Sequence, residues 1–222
     1  MAQSSIFSDP HEAALATCEH RNPVNIALYG GTFDPVHKGH LEVARAAADA
    51  LGLDRVLFIP VGVPPHRGRR PGASYIDRHR MIEIACKGDA RFEASDLEAA
   101  RADGRPNYSI DTIHTVKEGL TAGDRLFFVI GCDAFADIRT WLRWEEVVRE
   151  VEWIVVSRPG SECSEDTVPE GARVYWLRDV AVPISSTELR KKLGAGEDVA
   201  DSLPGEVAQY IEDCGLYRPS GN

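Results

Sequence analysis

The sequence predicts a single doubly wound α/β domain, a parallel sheet with helices packed on both faces. Three observations predict it. Short apolar runs alternate with stretches of helical period from Val24 onward, the order that strand–helix–strand units require. The runs are continuously apolar, as in strands buried on both faces. No internal repeat or long linker divides the 222 residues, a length that suits one domain.

Residues 1–23 are polar, contain Asp9-Pro10 and Asn22-Pro23 and hold no sustained period; they are expected to form a loose N-terminal extension to a domain spanning 24–218. Ile26-Ala27-Leu28-Tyr29, ending in Gly30-Gly31, reads as the first strand. Leu41, Ala44, Ala48 and Leu51 then recur at helical spacing, with Gly52 as the stop. Val56–Ile59 is a second strand, closed by Pro60. A Pro/Gly/Arg loop leads to a helix carrying Met81, Ile84 and Ala85, and Arg91–Ala94 follows as a third strand. Ile110, Ile113, Val116 and Leu120 mark an amphipathic helix ahead of the most apolar strand, Leu126–Ile130. A helix over Trp144–Val151 precedes strands at Trp153–Val156 and Val174–Leu177. Two helices close the chain, one from about Ser185 and one with Ser202 as N-cap and Pro204 in its first turn.

Composition excludes several classes. A hydrophobic fraction of 43% and a charged fraction of 27% are those of an ordinary globular protein. No run approaches the roughly 18 to 20 apolar residues that span a bilayer, and the N-terminus lacks the basic-then-apolar order of a secretory signal. A net charge of −10 and the lack of a Lys/Arg stripe argue against a nucleic-acid polymer as partner. The five cysteines are odd in number and lack C-x-x-C spacing, so they read as thiols of a reducing cytoplasm rather than a disulfide frame or zinc site.

The densest signal is Gly30-Gly31-Thr32-Phe33-Asp34-Pro35-Val36-His37-Lys38-Gly39-His40, between the first strand and first helix, where open parallel sheets bind ligands. Glycines there let backbone amides approach phosphate oxygens. No Gly-Lys-Ser/Thr ends the segment, so it is not a P-loop, and the G-x-G-x-x-G dinucleotide pattern is absent. Instead two histidines three apart stand at the helix entrance, on one side of the turn. Near the C-terminus, Ser185 and Glu188 have capping-box spacing, while Ser185, Ser186, Thr187 and Arg190 put hydroxyls and a guanidinium at a positive helix end.

The opening segment resembles the nucleotidyltransferase superfamily with the H-x-G-H signature, a Rossmann-like fold. Further segments are similar, in order, to bacterial nicotinate mononucleotide adenylyltransferases: Pro60–Arg67, Arg78 with Met81, Tyr108–Thr112, Ile130–Asp133, Thr140-Trp141, Arg158-Pro159-Gly160 and Ile184–Arg190. Two departures stand out: Arg67 replaces the usual Lys, keeping the charge but not the geometry, and Asn107 replaces the usual Ser.

The resemblance implies transfer of AMP from ATP to nicotinate mononucleotide, giving deamido-NAD and pyrophosphate. Gly30, Gly31, Thr32, Phe33, His37, His40, Gly131, Asp133, Ser185, Ser186, Thr187 and Arg190 would bind ATP, and His40, His37 and Arg190 would be catalytic. Asp34, Arg67, Tyr108, Ser109 and Trp141 would serve the pyridine mononucleotide, Trp141 by stacking on its ring. Mg²⁺ would be held mainly through ATP, since no carboxylate cage is evident. The partners implied are ATP and a pyridine mononucleotide, with no membrane; a homo-oligomer is left open. Phosphopantetheine adenylyltransferase and nicotinamide mononucleotide adenylyltransferase are the alternatives within the superfamily, and a non-catalytic nucleotide sensor is the alternative outside it.

Overall fold

The computed structural model describes residues 21–65, 70–99, 104–157, 164–178, 180 and 184–218. Residues 1–20 of the expected extension, Arg67 and the Arg158–Gly160 segment lie outside them. Six strands form one sheet: β1 (Asn25–Gly31), β2 (Arg55–Pro60), β3 (Phe92–Ala94), β4 (Arg125–Gly131), β5 (Glu152–Val156) and β6 (Arg173–Leu177). Their order is β3-β2-β1-β4-β5-β6 and every pairing is parallel. The helices are α1 (Lys38–Leu51), α2 (Tyr75–Cys86), α3 (Ser109–Lys117), α4 (Cys132–Ala136), α5 (Trp144–Glu150), α6 (Ser186–Ala195) and α7 (Gly205–Asp213).

Alternate residues of each strand serve opposite faces, so the sheet divides two cores. Ala27, Phe58 and Phe127 pack with α1, α2 and α7 on one side. Leu28, Ile59 and Phe128 pack with α3 and α5 on the other. The chain steps from β1 outward to β2 and β3, then crosses back to lay β4 on the other side of β1. The order reverses at that seam, and its C-terminal end is where a doubly wound sheet opens a crevice.

The opposite, N-terminal end of the sheet is closed by ion pairs. Arg55 forks Glu93 at 2.6 Å through two nitrogens. Arg125 forks Glu152 at 3.0 and 2.7 Å, and the Tyr175 hydroxyl donates to the same carboxylate at 3.0 Å. Asp124, in the turn before β4, accepts the Val24 and Thr121 N–H groups at 2.9 and 2.7 Å and pairs with Arg21. Residues 21–24 are therefore fastened to this turn rather than loose.

Those bonds, the one from the Thr121 amide first, hold the Asp124 carboxyl at about 2 against an ordinary 3.8. A carboxyl depressed on folding stabilises fully above its unfolded value, and that contribution disappears as pH falls through the folded one. The urea midpoint of the wild type is expected to fall between about pH 4 and pH 2 more steeply than that of Asp124→Asn; parallel curves would count against it.

Three local expectations are revised. Helix α7 starts at Gly205 with Pro204 as N-cap, because the Ser202 carbonyl is taken by the Lys38 N–H at 3.0 Å, tying the approach to α7 onto the start of α1. The short α4 follows Gly131 directly and is too brief to show a period in sequence. Cys86 and Cys214 are free, but Cys132 is in a disulfide, contrary to the reading of every cysteine as a thiol.

Candidate active site

The crevice is built first by the loop after β1. Phe33 adopts φ 48, rare for a side-chain-bearing residue, and its ring is buried against Tyr29 and Phe58 at 5.5 and 5.7 Å. A Cβ at Gly31 would lie 3.1 Å from that ring, so glycine there is required by the packing of Phe33 as well as by access to the backbone. Arg78, 1% exposed, stands behind the loop and donates to the carbonyls of Thr32 (2.7 Å) and Val61 (2.8 Å), joining the turns that follow β1 and β2.

The loop delivers the two histidines to the start of α1. His37 is its N-cap and His40 the third helical residue, the position from which a side chain can reach back to an N-cap amide. His40 does so: its Nδ1 accepts the His37 N–H at 3.2 Å. With Nδ1 accepting, the neutral ring carries its proton on Nε2 as a donor. The rings stack with centroids 3.6 Å apart and planes 19° apart, and Phe33 meets His40 edge-on at 4.9 Å. His37, His40, Gly39 and Gly131 line a recess of about 90 Å³.

Beside it lies a larger cavity of about 640 Å³, lined by Gly30, Gly31 and Thr32 on one side and Tyr108, Ser109 and Trp141 on the other. The two hollows share Tyr29, Val129, Ile130 and Gly131, the C-terminal ends of β1 and β4. Trp141 is held by T-shaped contacts with Phe128 (5.9 Å) and Trp153 (6.3 Å). Tyr108 is the N-cap of α3, so this helix presents its unpaired first amides at the cavity wall. Asn107 joins two walls: its backbone N–H donates to the Val63 carbonyl at 2.9 Å and its Oδ1 accepts the Val63 N–H at 2.7 Å.

The C-terminal turn docks against the first loop, with Ile184 reaching the recess. Ser185 is the N-cap of α6, but its side chain makes no capping bond, so the capping box expected from Ser185 and Glu188 does not form. Ser186 Oγ instead donates to the Pro35 carbonyl at 3.2 Å, which docks this helix start onto the first loop. Arg190 donates to the Asp34 carbonyl at 2.6 Å and to Thr187 Oγ1 at 3.2 Å.

Gly30, Gly31, Thr32, His37, His40, Tyr108, Ser109, Gly131 and Trp141 converge on the two hollows, whereas Phe33, Asp34, Asp133 and the Ser185, Ser186, Thr187 and Arg190 group line neither. Asp34 is 3% exposed and lines neither hollow; its carboxylate accepts the N–H groups of Gly72 and Ala73 and the Tyr217 hydroxyl. Asp133 is exposed in the first turn of α4 and also lines neither. Sequence reasoning missed Glu98, which lines the larger cavity and accepts the Thr112 hydroxyl at 2.8 Å. Burial raises its pKa, and the Thr112 bond opposes the rise. Glu98 sits between β3 and α3 with no periodic or motif signal around it. Among the described residues, His114, Glu146 and Glu150 bring ligand atoms within 4.8 Å. Arg143 forks Glu146 and Lys117 pairs with Glu150, and none of the three lines either hollow.

Comparison with known proteins adds a family. A family model described as cytidylyltransferase-like matches residues 28–192. A probable nicotinate-nucleotide adenylyltransferase of Solibacter usitatus is 48% identical over 195 residues, covering 88% of this chain and 100% of that protein. One from Gloeobacter violaceus is 39% identical, covering 88% and 98%. Among solved structures, the Plasmodium falciparum nicotinic acid mononucleotide adenylyltransferase complexed with NaAD aligns over 87% of this chain and 97% of its own, with TM-score 0.71 and 22% identity. At that identity the likeness concerns the fold.

Proposed function

The chain belongs to the cytidylyltransferase-like family, among its nicotinate-nucleotide adenylyltransferases, and we propose that it transfers AMP from ATP to nicotinate mononucleotide, releasing pyrophosphate. The observation that carries this reading is the pair of hollows meeting over the ends of β1 and β4, one holding two stacked histidines and the other a tryptophan wall. Such a division suits a triphosphate on one side and a flat ring on the other.

ATP enters as its magnesium complex. The residues around the recess offer imidazoles and amides rather than a carboxylate cage, which fits a metal carried by the phosphates. Magnesium bound with ATP would supply neutralisation of phosphate charge; the chain's own part is positioning. Amides of Gly30 and Gly31 cradle the nucleotide. A phosphate oxygen of the mononucleotide attacks the α-phosphorus in line and the bond to the β-phosphate oxygen breaks, with no covalent enzyme intermediate. His40 Nε2–H donates to the α-phosphate oxygens as charge shifts there, and His37 assists. Arg190 and the Ser185–Thr187 turn hold the departing pyrophosphate. A reaction that consumes ATP supports a cytoplasmic location, where ATP is available.

For the pyridine substrate, Trp141 supplies a stacking face, and the first amides of α3, at Ser109, face the ring's carboxylate. Glu98 is an acid in the same cavity, and its carboxylate is engaged by the Thr112 hydroxyl at 2.8 Å. Pyrophosphate release from ATP, measured with nicotinate mononucleotide, nicotinamide mononucleotide and phosphopantetheine offered separately, tests the reading. We expect the highest kcat/KM with the nicotinate form. Trp141→Ala should raise KM for the mononucleotide far more than KM for ATP. Comparable kcat/KM for the acid and amide forms, or a best rate with phosphopantetheine, would reject the assignment.

A further inference from the structure

The family match ends at residue 192, yet the turn after α7 reaches the site. Tyr217 takes a left-handed backbone, φ 64, a conformation that a tyrosine holds only where its contacts demand it. It is wedged among three elements. Its hydroxyl donates to Asp34 Oδ1 at 2.8 Å. Its ring covers Gly72, where a Cβ would come within 3.1 Å. Its carbonyl lies against Gly194 of α6, where a Cβ would come within 3.3 Å. Two glycines leave the room that this one tyrosine fills. Burial first, and the Asp34 carboxylate next, push the phenol's pKa well up, so its hydroxyl stays a donor.

What these contacts surround is Arg190. Its Nη1 donates to the Asp34 carbonyl at 2.6 Å and stands 3.5 Å from Asp34 Oδ2. The Gly72 and Ala73 amides, at 2.7 and 3.0 Å, together with the Tyr217 hydroxyl, pin the Asp34 carboxylate that faces the guanidinium. On its other flank Arg190 Cδ passes 3.2 Å from where a Gly72 Cβ would be. The Arg190 side chain keeps 23% of its surface exposed while that of Asp34 keeps 4%. The guanidinium is thus fixed on its Asp34 side while part of it stays exposed.

We propose that Tyr217, acting through Asp34 and Gly72, is a positioning residue that sets the Arg190 guanidinium for the β- and γ-phosphate end of ATP. This rests on the adenylyltransferase reading. The segment after α7 is then part of the catalytic scaffold, although it carries no group that touches substrate.

Titration calorimetry with Mg·ATP and, separately, AMP tests it on the full chain, because AMP lacks the phosphates that Arg190 would hold. Tyr217→Phe removes only the hydroxyl, and Gly72→Ala pushes on Arg190 from the opposite flank. Each is expected to weaken Mg·ATP binding roughly tenfold while AMP affinity stays within about twofold. Combined with Arg190→Ala, Tyr217→Phe should add nothing further to the ratio of the two affinities. A Tyr217→Phe protein that melts earlier but binds both ligands as the wild type does would overturn the latch and leave the residue a fold support. Additive losses in the double variant would overturn it too. A wild-type chain that binds neither ligand would instead reject the adenylyltransferase reading itself.

Discussion

His40→Ala is expected to lower kcat at least ~100-fold while ATP binds about as before. The geometry explains both halves. The His37 N–H occupies His40 Nδ1 at 3.2 Å, which puts the neutral ring's proton on Nε2, and stacking on His37 at 3.6 Å keeps the ring from swinging. A preorganised donor of this kind matters most where charge develops, and losing one costs ~2.7 to 4 kcal/mol of barrier. On the proposed reading, the ground-state triphosphate would still have the Gly30 and Gly31 amides, Arg190 and its own magnesium, so losing one imidazole should change affinity little. The variant should also stay folded, since it loses one 3.2 Å bond at a helix start and leaves the core face of α1 intact. Calorimetry with ATP alone and steady-state rates with both substrates check it. If ATP affinity and kcat/KM fall together while kcat is kept, His40 is a binding residue and the mechanism fails.

The largest loss of stability is expected from Trp153→Ala, about 3 to 5 kcal/mol, a large share of the roughly 5 to 15 kcal/mol that holds a domain folded. Trp153 is wholly buried. It packs on Phe128 and Phe135 at 5.2 and 5.5 Å, and its Nε1 donates to the Val148 carbonyl at 3.2 Å. Alanine would leave a cavity and an unpaired buried carbonyl together. The edge contact to Trp141 would go as well, so KM for the mononucleotide should rise even where the variant remains folded. Urea unfolding gives the first number and steady-state kinetics the second; a loss under about 1 kcal/mol would show that the second core can close around the gap.

The strands and the opening loop of the candidate site were legible because each is written in one short stretch. Ile26–Tyr29 and Leu126–Ile130 are apolar without interruption, and Gly30–His40 packs a turn, two histidines and a helix start into eleven consecutive residues. What stayed hidden depends on partners far along the chain. The burial of Asp34 follows from a tyrosine 183 positions away. Ser202 looks like a helix cap until the Lys38 amide claims its carbonyl. Nothing local distinguishes Glu98, and only folding brings it to the cavity of Trp141. Asn107, which departs from the family pattern, is the residue that clasps Val63 from both its donor and acceptor sides.

Because all six strands run the same way, the two ends of the sheet differ in what they tolerate. The candidate groups of the reaction lie at a strand's C-terminal end, in the loop beyond it or on the helix that follows, whereas Arg55–Glu93, Arg125–Glu152 and Asp124 mark the other. A tether or dye attached at an exposed position near that other end would stand a full strand length from the crevice. Anchored so, the molecule would be held to a surface with its substrate opening turned outward, an orientation set by strand direction alone.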